Sequence, residues 1–328
     1  MLRTWLPART VHLAGLDVVG KTPGRRDKKE VYRRLLDMSS GKPIPFNTGA
    51  AIPKIGLGTC SNPDEKEHGD EVRRALRKVI PSVVSREQLF ITSKLWNSSH
   101  RDRPQVVEAE LDETLKQLDL IYLDLYLVHW PAAFVPGSGL FPAKSDEEVH
   151  LDTEVSLVDT WKAMIELLDT GKVKTIGVSN LNFSIAQIQG IADATGVVPA
   201  VNQIETHPLL PQDGKEKGIH TTAYSPLGNN FWGVPMLTKN VVVQESAQES
   251  RIISNFKQVE LSEEDHEKVS SIGVGNARRR VAFANIGPSH ELTAIIRYDI
   301  PEPYKQRCNI NIVGEGIEKS AAVQVKIV

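Results

Sequence analysis

Short runs of apolar and β-branched residues alternate along the chain with stretches whose apolar residues repeat at helical spacing. The segment Leu89–Trp96 (LFITSKLW) is typical of a buried strand, and Pro104–Leu118 then follows the period of a helix. Strands that alternate with helices in this way predict parallel strand–helix–strand units. The other predicted strands are Tyr122–Trp130, Val173–Ser179, Val198–Glu205 and His220–Pro226, and the other predicted helices are Leu157–Leu168 and Ile185–Ala194.

Two architectures fit this alternation, a doubly wound parallel sheet and a (β/α)₈ barrel. A doubly wound sheet more often carries a complete glycine-rich turn after its first strand, but Gly56-Leu57-Gly58 and Gly273-Val274-Gly275 are both incomplete. A barrel places its active site at the carboxyl ends of several strands. Any one polar residue there is better explained as a strand cap, but a group of them favours the barrel. The group is Lys94, His129, Ser179, Asn180, Gln203, Tyr224 and Ser225.

The composition excludes several classes of protein. With 39 basic and 41 acidic residues among 328, the formal net charge is −2, which excludes a strongly basic nucleic-acid-binding protein. The hydrophobic share of 40% supports a folded core. No apolar run reaches the ~18 residues of a membrane-spanning helix. Because Cys60 and Cys308 cannot build a disulfide framework, we expect a reducing compartment and a cytoplasmic location.

The first 37 residues differ in character from the rest of the chain. Basic residues such as Arg3, Arg9 and Arg25 outnumber acidic ones there, as in a mitochondrial presequence. Serine is scarce, however, and Pro7 interrupts any amphipathic helix. We therefore expect a disordered extension over residues 1–37, or an upstream start to a chain that naturally begins at Met38, with mitochondrial targeting as the lesser alternative. A single domain then covers residues 38–328.

Neither a metal site nor a nucleic-acid site is predicted. The nine histidines are scattered, and none stands four residues from another beside a carboxylate. Glu205 and His207 stand two residues apart at a strand end, which is more typical of a loop contact than of a ligand pair. No stretch combines basic and aromatic residues in the pattern of nucleic-acid-binding proteins.

Several segments resemble the aldo-keto reductases, and they occur in the order of that family. The most distinctive are Leu89–Asn97 (LFITSKLWN), Leu123–Pro131 (LDLYLVHWP) and Ala200–Pro208 (AVNQIETHP). The resemblance implies a (β/α)₈ barrel that reduces aldehydes and ketones with NADPH, acts on a small carbonyl compound and is a monomer. The other similar segments are Ile52–Thr59, Ile176–Asn180 and Thr222–Gly228, and Asn309–Glu315 and Ser320–Val328 resemble the ends of fungal members.

The resemblance also implies roles for individual residues. Lys94 matches the lysine that lowers the pKa of a proton-donating tyrosine, and His129 matches the histidine that orients the carbonyl. Trp130 matches an aromatic wall of the substrate pocket, and Trp96 adds to this apolar surface. Arg251 matches the arginine that holds the adenosine 2′-phosphate, a role suited to its planar and permanent charge. The remaining residues matched to the cofactor site are Thr59, Ser179, Asn180, Gln203, Tyr224, Ser225, Leu227 and Asn255.

The chain also departs from the pattern of the family. Between Thr59 and the helix that ends at Leu76, the sequence is too short for the family's second strand, which carries the catalytic aspartate. Lys66 stands at or near the place of the catalytic tyrosine. The segment for the eighth strand is missing before Arg251, and Arg280–Ile296 resembles an insertion.

These gaps predict an incomplete barrel and leave three hypotheses open. The first strand loses both neighbours, so we expect Ile52–Thr59 to be poorly anchored and strands three to seven to form best. The chain is then a reductase in which Lys94, His129 or Lys66 supplies the proton. The second hypothesis is a non-catalytic member that binds a nucleotide or a partner. The third is a poorly folding product of wrongly joined exons.

Overall fold

Eight strands close into a barrel in the computed structural model of this chain. The residues described are 10–13, 43–59, 68–137, 142, 149–180, 185–208, 210, 218–224, 241–245 and 261–272, together with four two-residue strands nearer the carboxyl terminus. In chain order, the strands up to the end of the barrel are β1 (Thr10–Leu13), β2 (Ile44–Pro45), β3 (Ala51–Ile52), β4 (Ile55–Gly58), β5 (Leu89–Leu95), β6 (Leu125–Val128), β7 (Ile176–Ser179), β8 (Val201–Ile204), β9 (His220–Tyr224) and β10 (Val241–Glu245).

Helices alternate with most of the barrel strands. They are α1 (His68–Val79), α2 (Pro104–Leu118), α3 (Leu157–Glu166), α4 (Ile185–Thr195) and α5 (Glu263–Ser271). None of the described helices has the length and apolar character needed to span a membrane. Outside the barrel, β2 pairs with β3, and two further antiparallel pairs join β11 (Asn285–Ile286) to β12 (Ala294–Ile295) and β13 (Ile312–Val313) to β14 (Gln324–Val325).

The order of strands around the barrel is β1, β4, β10, β9, β8, β7, β6 and β5, with β5 returning to β1. The ladders between neighbours from β4 through β10 to β5 are parallel, whereas β1 is antiparallel to both β4 and β5. The predicted (β/α)₈ barrel is therefore confirmed, with one strand reversed. The expectation that the barrel is incomplete is wrong, because eight strands close it.

Two segments that the sequence analysis did not assign to strands complete this barrel. Thr10–Leu13 lies between β4 and β5, in the place of the family's second strand, and Val241–Glu245 lies between β4 and β9, in the place of the eighth. The expectation that Ile52–Thr59 is poorly anchored is wrong, because β4 pairs on both sides. Open strand edges carry backbone N–H and C=O groups that need partners, and any extended segment can supply them.

β1 falls within residues 1–37, for which the sequence predicts disorder. Its four residues form a barrel strand instead, and the rest of that stretch, apart from them, lies outside the described residues. The segment Arg280–Ile296 also lies largely outside them.

Alternate residues of the strands belong to two separate apolar clusters. Ile91 and Tyr126 belong to a cluster that includes buried residues of α2 and α3. Phe90 and Leu125, their neighbours in sequence, pack instead with Phe46 of the turn that joins β2 to β3. Because successive side chains of a strand point to opposite faces, this second cluster fills the barrel interior. The β2–β3 hairpin thus covers the end at which the strands begin, opposite the end that carries the polar residues.

Candidate active site

Polar side chains collect at the carboxyl ends of the barrel strands. Lys94 is the last residue but one of β5, and its side chain is buried. The register aligns Lys94 with Leu127 and Ser179 with Gln203, so that neighbouring strands end at similar heights. The predicted site residues that the structure brings to this end are Thr59, Lys94, His129, Ser179, Asn180, Gln203 and Tyr224, each within the last two residues of a strand or directly after it.

Hydrogen bonds join the ends of β6, β7 and β8. The Asn180 Nδ2 group donates to the backbone oxygen of His129 at 2.9 Å, and the Asn180 backbone N–H donates to the backbone oxygen of Gln203 at 2.8 Å. The Ser179 hydroxyl donates to that second oxygen at 2.9 Å. Asn180 has a φ of 59°, a left-handed conformation that asparagine adopts more readily than most residues. These contacts fix the three strand ends relative to one another.

Aromatic rings form a wall beside His129. The centroid of the Trp96 ring lies 4.9 Å from that of the His129 imidazole in an edge-on arrangement, and the Phe134 ring lies 6.2 Å from Trp96. The Trp130 ring stacks on the imidazole at a centroid distance of 6.0 Å. Trp96 and Phe134 are buried, whereas His129 and Trp130 are partly exposed. Such a wall suits the carbon skeleton of a small ligand.

The imidazole of His129 is neutral at physiological pH. Burial, together with the positive charge of Lys94, holds the pKa of His129 well below its usual value of 6.5. Burial likewise lowers the pKa of His100 to about 3. A neutral imidazole has one N–H donor and one acceptor nitrogen, so His129 can orient a carbonyl oxygen but holds no cationic proton to release. This argues against the hypothesis that His129 supplies the proton.

Several buried polar atoms near this wall have no hydrogen-bond partner in the part of the chain that the structure describes. Oδ1 of Asn180 and Nδ1 of His129 are among them. Buried polar atoms in proteins are nearly always paired. The Asn180 oxygen is an acceptor of the kind that binds the N–H₂ group of a carboxamide. The residues present therefore fit a nicotinamide ring at this end of the barrel.

The remaining predicted site residues, Lys66, Ser225, Leu227, Arg251 and Asn255, lie outside the described residues, and their roles stay predictions.

The site differs from the family pattern because β1 runs in the direction opposite to that of the family's second strand. The resemblance implies a catalytic aspartate at the end of the second strand and a tyrosine shortly after it, at the mouth of the barrel. Here β1 ends at Leu13, which pairs with Leu89 at the start of β5, the opposite end of the barrel. Barrel closure by β1 therefore does not bring the residues at its carboxyl end to the mouth.

Sequence analysis missed three residues that follow β5 and shape the mouth: Asn97, His100 and Arg101. Asn97 donates from Nδ2 to the backbone oxygen of Ala132 at 2.6 Å. The Arg101 guanidinium forms an ion pair with Asp152 at 3.4 Å. The available signal was their position within six residues of the end of a buried strand, whereas Lys94 was identified by its position near the end of the same strand.

Glu205 and His207, which follow β8, contact each other as a loop pair. The distance from His207 Nε2 to Glu205 Oε1 is 2.9 Å, and both side chains are buried. In the described ranges, no group of three or more side chains is arranged to hold a metal ion.

A sequence model of the Aldo/keto reductase family matches residues 65–277, which is more than half of the chain. The chain belongs to the aldo/keto reductase family. The match includes β5 to β10 and every strand end that carries a described site residue except Thr59.

Reductases are among the relatives similar to this aldo/keto reductase. A D/L-glyceraldehyde reductase of Hypocrea jecorina is 38% identical, with 87% of this chain and 98% of the relative covered. That alignment spans 350 positions, more than the 328 residues of this chain, so the relative has segments that this chain lacks. An aldehyde reductase of Saccharomyces cerevisiae is 36% identical over 74% of this chain and 94% of its own.

A solved structure of similar fold is the aldose reductase from Schistosoma japonicum. Its TM-score is 0.63 at 35% sequence identity, with 72% of this chain and 93% of that chain covered. The barrel of this aldo/keto reductase thus agrees with an experimentally known member.

Proposed function

We propose that this chain binds NADPH at the carboxyl end of the barrel and reduces small aldehydes and ketones to alcohols. The observation that carries the proposal is the arrangement around Asn180. Its Nδ2 group tethers the backbone of His129 at 2.9 Å, while its buried Oδ1 atom is without a partner among the described residues. One group thus links a carbonyl-orienting histidine to an acceptor for the nicotinamide carboxamide.

The residues divide into a substrate side and a cofactor side. On the substrate side, the neutral imidazole of His129 donates a hydrogen bond to the carbonyl oxygen, while Trp96 and Trp130 exclude water from the carbon skeleton. The bound cofactor supplies a hydride to the carbonyl carbon. On the cofactor side, Ser179, Asn180 and Gln203 hold the carboxamide, Tyr224 stacks on the ring, and Thr59, Ser225, Leu227, Arg251 and Asn255 hold the remainder.

The alcohol oxygen needs a proton, and Lys94 is the described residue placed to provide one. The family's tyrosine has no counterpart among the motifs of this chain, and His129 is neutral. Lys94 is buried near the end of β5, and the His129 backbone N–H donates to the backbone oxygen of the next residue, Leu95, at 3.2 Å, so the two residues stand at neighbouring strand ends. Loss of an optimal general acid typically slows a reaction by about 10²–10⁴-fold, so we expect slow turnover.

A second candidate function is nucleotide binding without chemistry. The reversed β1 favours it, because the strand in the second position does not lead into the mouth as the family's strand does. The reversal of β1 leaves Asn180 and Gln203 in place, because Asn180 directly follows β7 and Gln203 belongs to β8. The two candidates therefore share a cofactor site and differ only in turnover.

Titration of the full chain with NADPH tests the proposal. Saturable quenching of tryptophan fluorescence, weakened in both Arg251→Ala and Asn180→Gly, supports cofactor binding. Reduction of propanal at a slow rate, abolished in Lys94→Met, then supports the reductase. Binding without turnover supports the second candidate. Aggregation of the expressed chain supports a defective product and contradicts both.

Preference for NADPH over NADH rests on Arg251, whose planar guanidinium suits a 2′-phosphate. We also infer a monomer in the cytoplasm. An Arg251→Ala variant that binds NADPH and NADH equally well supports the assignment of that residue. Sedimentation of the purified chain as a larger species contradicts the monomer.

A further inference from the structure

Two peptide segments build the outer part of the aromatic wall. Phe134 forms an antiparallel bridge with Leu151, and the Val135 N–H donates to the backbone oxygen of His150 at 3.0 Å. The Asp152 N–H donates to the backbone oxygen of Ala133 at 2.9 Å. The segment after β6 and the segment around Leu151 therefore form one unit, which carries the Phe134 ring.

Arg101 attaches this unit to the barrel. Its Nη2 group donates to the backbone oxygen of Phe134 at 3.2 Å, and its Nη1 group donates to the backbone oxygen of His100. Nη1 also lies 3.4 Å from Oδ2 of Asp152. The side chains of Arg101 and Asp152 are only 12% and 18% exposed. Solvent therefore screens this pair far less than a pair on the open surface.

The backbone of Phe134 is consequently held on both sides. Its N–H donates to the backbone oxygen of Asn97 at 3.0 Å, and its carbonyl accepts from Arg101. Asn97 and Arg101 both belong to the loop after β5, the same strand that carries Lys94. The distance of 6.2 Å between the Phe134 and Trp96 rings thus depends on contacts from this loop.

We propose that Arg101 is a positioning residue that sets which carbonyl compounds fit the pocket. It holds Phe134 against Trp96, which narrows the pocket and favours small, unbranched aldehydes over bulky aromatic ones. This inference rests on the proposed function, because it concerns the substrate of the same site.

The chemistry of the arginine side chain explains how Arg101 can hold Phe134 in position. A guanidinium presents five N–H donors in a rigid plane, so one side chain reaches a carboxylate and two carbonyl oxygens together. A lysine at this position retains the charge but not the planar set of donors. Arg101→Lys therefore distinguishes the contribution of the ion pair with Asp152 from the contribution of the two hydrogen bonds to backbone oxygens.

Three variants and a control test the proposal. Arg101→Met removes the charge and every donor, Arg101→Lys keeps the charge, and Asp152→Asn keeps the shape and the backbone N–H. Arg77→Met is the control, because Arg77 forms an exposed ion pair with Asp119 on a different surface. Each variant is compared with the unchanged full chain at saturating NADPH.

The first measurement is amide hydrogen exchange at Phe134, Val135 and Asp152. Loss of the charge-assisted bonds in Arg101→Met accelerates exchange at these amides by about tenfold. Arg101→Lys and Asp152→Asn give smaller accelerations, and Arg77→Met gives none. Unchanged exchange in Arg101→Met overturns the proposal.

The second measurement is the preference between propanal and 2-naphthaldehyde. In Arg101→Met, the ratio of kcat/KM for propanal to that for 2-naphthaldehyde falls by about tenfold, mostly through KM. The ratio for Arg101→Lys lies between the ratio for Arg101→Met and the ratio for the unchanged protein. Faster exchange with an unchanged ratio means that Arg101 is only structural, and this overturns the proposal.

A third measurement separates this proposal from the proposed function. If the unchanged protein reduces neither aldehyde, the reductase function fails. The preference of the pocket is then measured as the ratio of the Kd values of butanamide and 2-naphthamide. A ratio that shifts by about tenfold in Arg101→Met supports the positioning role without any turnover. Failure of both amides to bind the unchanged protein overturns the positioning role as well.

Discussion

The side-chain amide of Asn180 donates to the backbone oxygen of His129 across 2.9 Å and so ties the end of β7 to the end of β6. This bond connects the side of the site that faces the carbonyl to the side that faces the cofactor. It depends on a left-handed backbone at Asn180, with a φ of 59°. Local conformation and site geometry are therefore coupled at one residue.

Two substitutions at Asn180 distinguish the effect of the side-chain amide from the effect of the left-handed backbone. Asn180→Gly keeps the left-handed backbone and removes both the tether and the acceptor, so we expect NADPH affinity to fall about tenfold. Asn180→Ala loses the same contacts and also strains the backbone by about 1–2 kcal/mol. Fluorescence titration and urea unfolding measure the two effects. Equal NADPH affinity in Asn180→Gly and the unchanged chain would contradict the assignment.

Because β1 pairs with strands on both sides, we expect the amino-terminal segment to stabilise the fold. Val11 pairs with Leu57 of β4 and with Ile91 of β5. Val11→Pro removes a backbone donor from this ladder and lowers the free energy of unfolding by about 1–3 kcal/mol. Val11→Thr keeps the donor and the β-branched shape, so its unfolding in urea stays close to that of the unchanged chain. A fragment that begins at Met38 and is as stable as the full chain would contradict this role.

The contrast between β5 and β1 shows what sequence can reveal. Leu89–Leu95 opens on three apolar residues and is followed by a helix, and its position in the alternation predicts a parallel strand. Thr10–Leu13 is a four-residue segment next to a basic, proline-containing stretch. It pairs with strands far away in sequence and in the reverse direction, and no local pattern encodes such a pairing.

The same limit applies within the candidate site. Lys94, Ser179 and Gln203 could be predicted because each stands at the end of a buried strand, where a polar residue is conspicuous. The contact between Arg101 and Asp152 joins two loops that are distant in sequence, and charged residues in loops are too common to indicate a pair. Its effect on Phe134 becomes visible only when the loops are seen together.

A buried ion pair at the other end of the barrel predicts a stability difference. Arg86 lies 2.8 Å from Asp124, with the two side chains only 10% and 7% exposed, and it also donates to the backbone oxygens of Leu89 and Tyr122. Arg86→Met leaves a buried carboxylate with fewer partners, so we expect a loss of about 2–4 kcal/mol in the free energy of unfolding.

The matched control for Arg86 is Arg77→Met. Arg77 pairs with Asp119 at 2.7 Å, but the side chains are 61% and 52% exposed. Its loss should therefore cost less than about 1 kcal/mol in the same urea titration. Equal losses from the two substitutions would show that burial of the Arg86–Asp124 pair has no energetic consequence.

His220 predicts a loss of stability in acid. Burial lowers the pKa of His220 from 6.5 to about 4. Between these values the unfolded chain binds a proton that the folded chain does not, so the free energy of unfolding falls as the pH drops from 6.5 towards 4. The full effect is about 3 kcal/mol.

Replacement of His220 by leucine removes this titration. The difference in unfolding free energy between His220→Leu and the unchanged chain should therefore shift in favour of the variant as the pH falls from 8 to 4.5. Urea unfolding at a series of pH values measures it. A difference that is the same at every pH would contradict the burial of a neutral imidazole at this position.

We propose above that the barrel mouth binds NADPH, while no residue there matches the efficiency of the family's tyrosine as a proton donor. The most direct test is one experiment on the full chain, in which NADPH is titrated to saturation and propanal is then added while oxidation of NADPH is followed. We predict saturable binding and a kcat about 10²–10⁴-fold below that of a family member with the catalytic tyrosine, measured in parallel. Absence of NADPH binding by the folded chain, or a kcat equal to that of the tyrosine-bearing member, would contradict it.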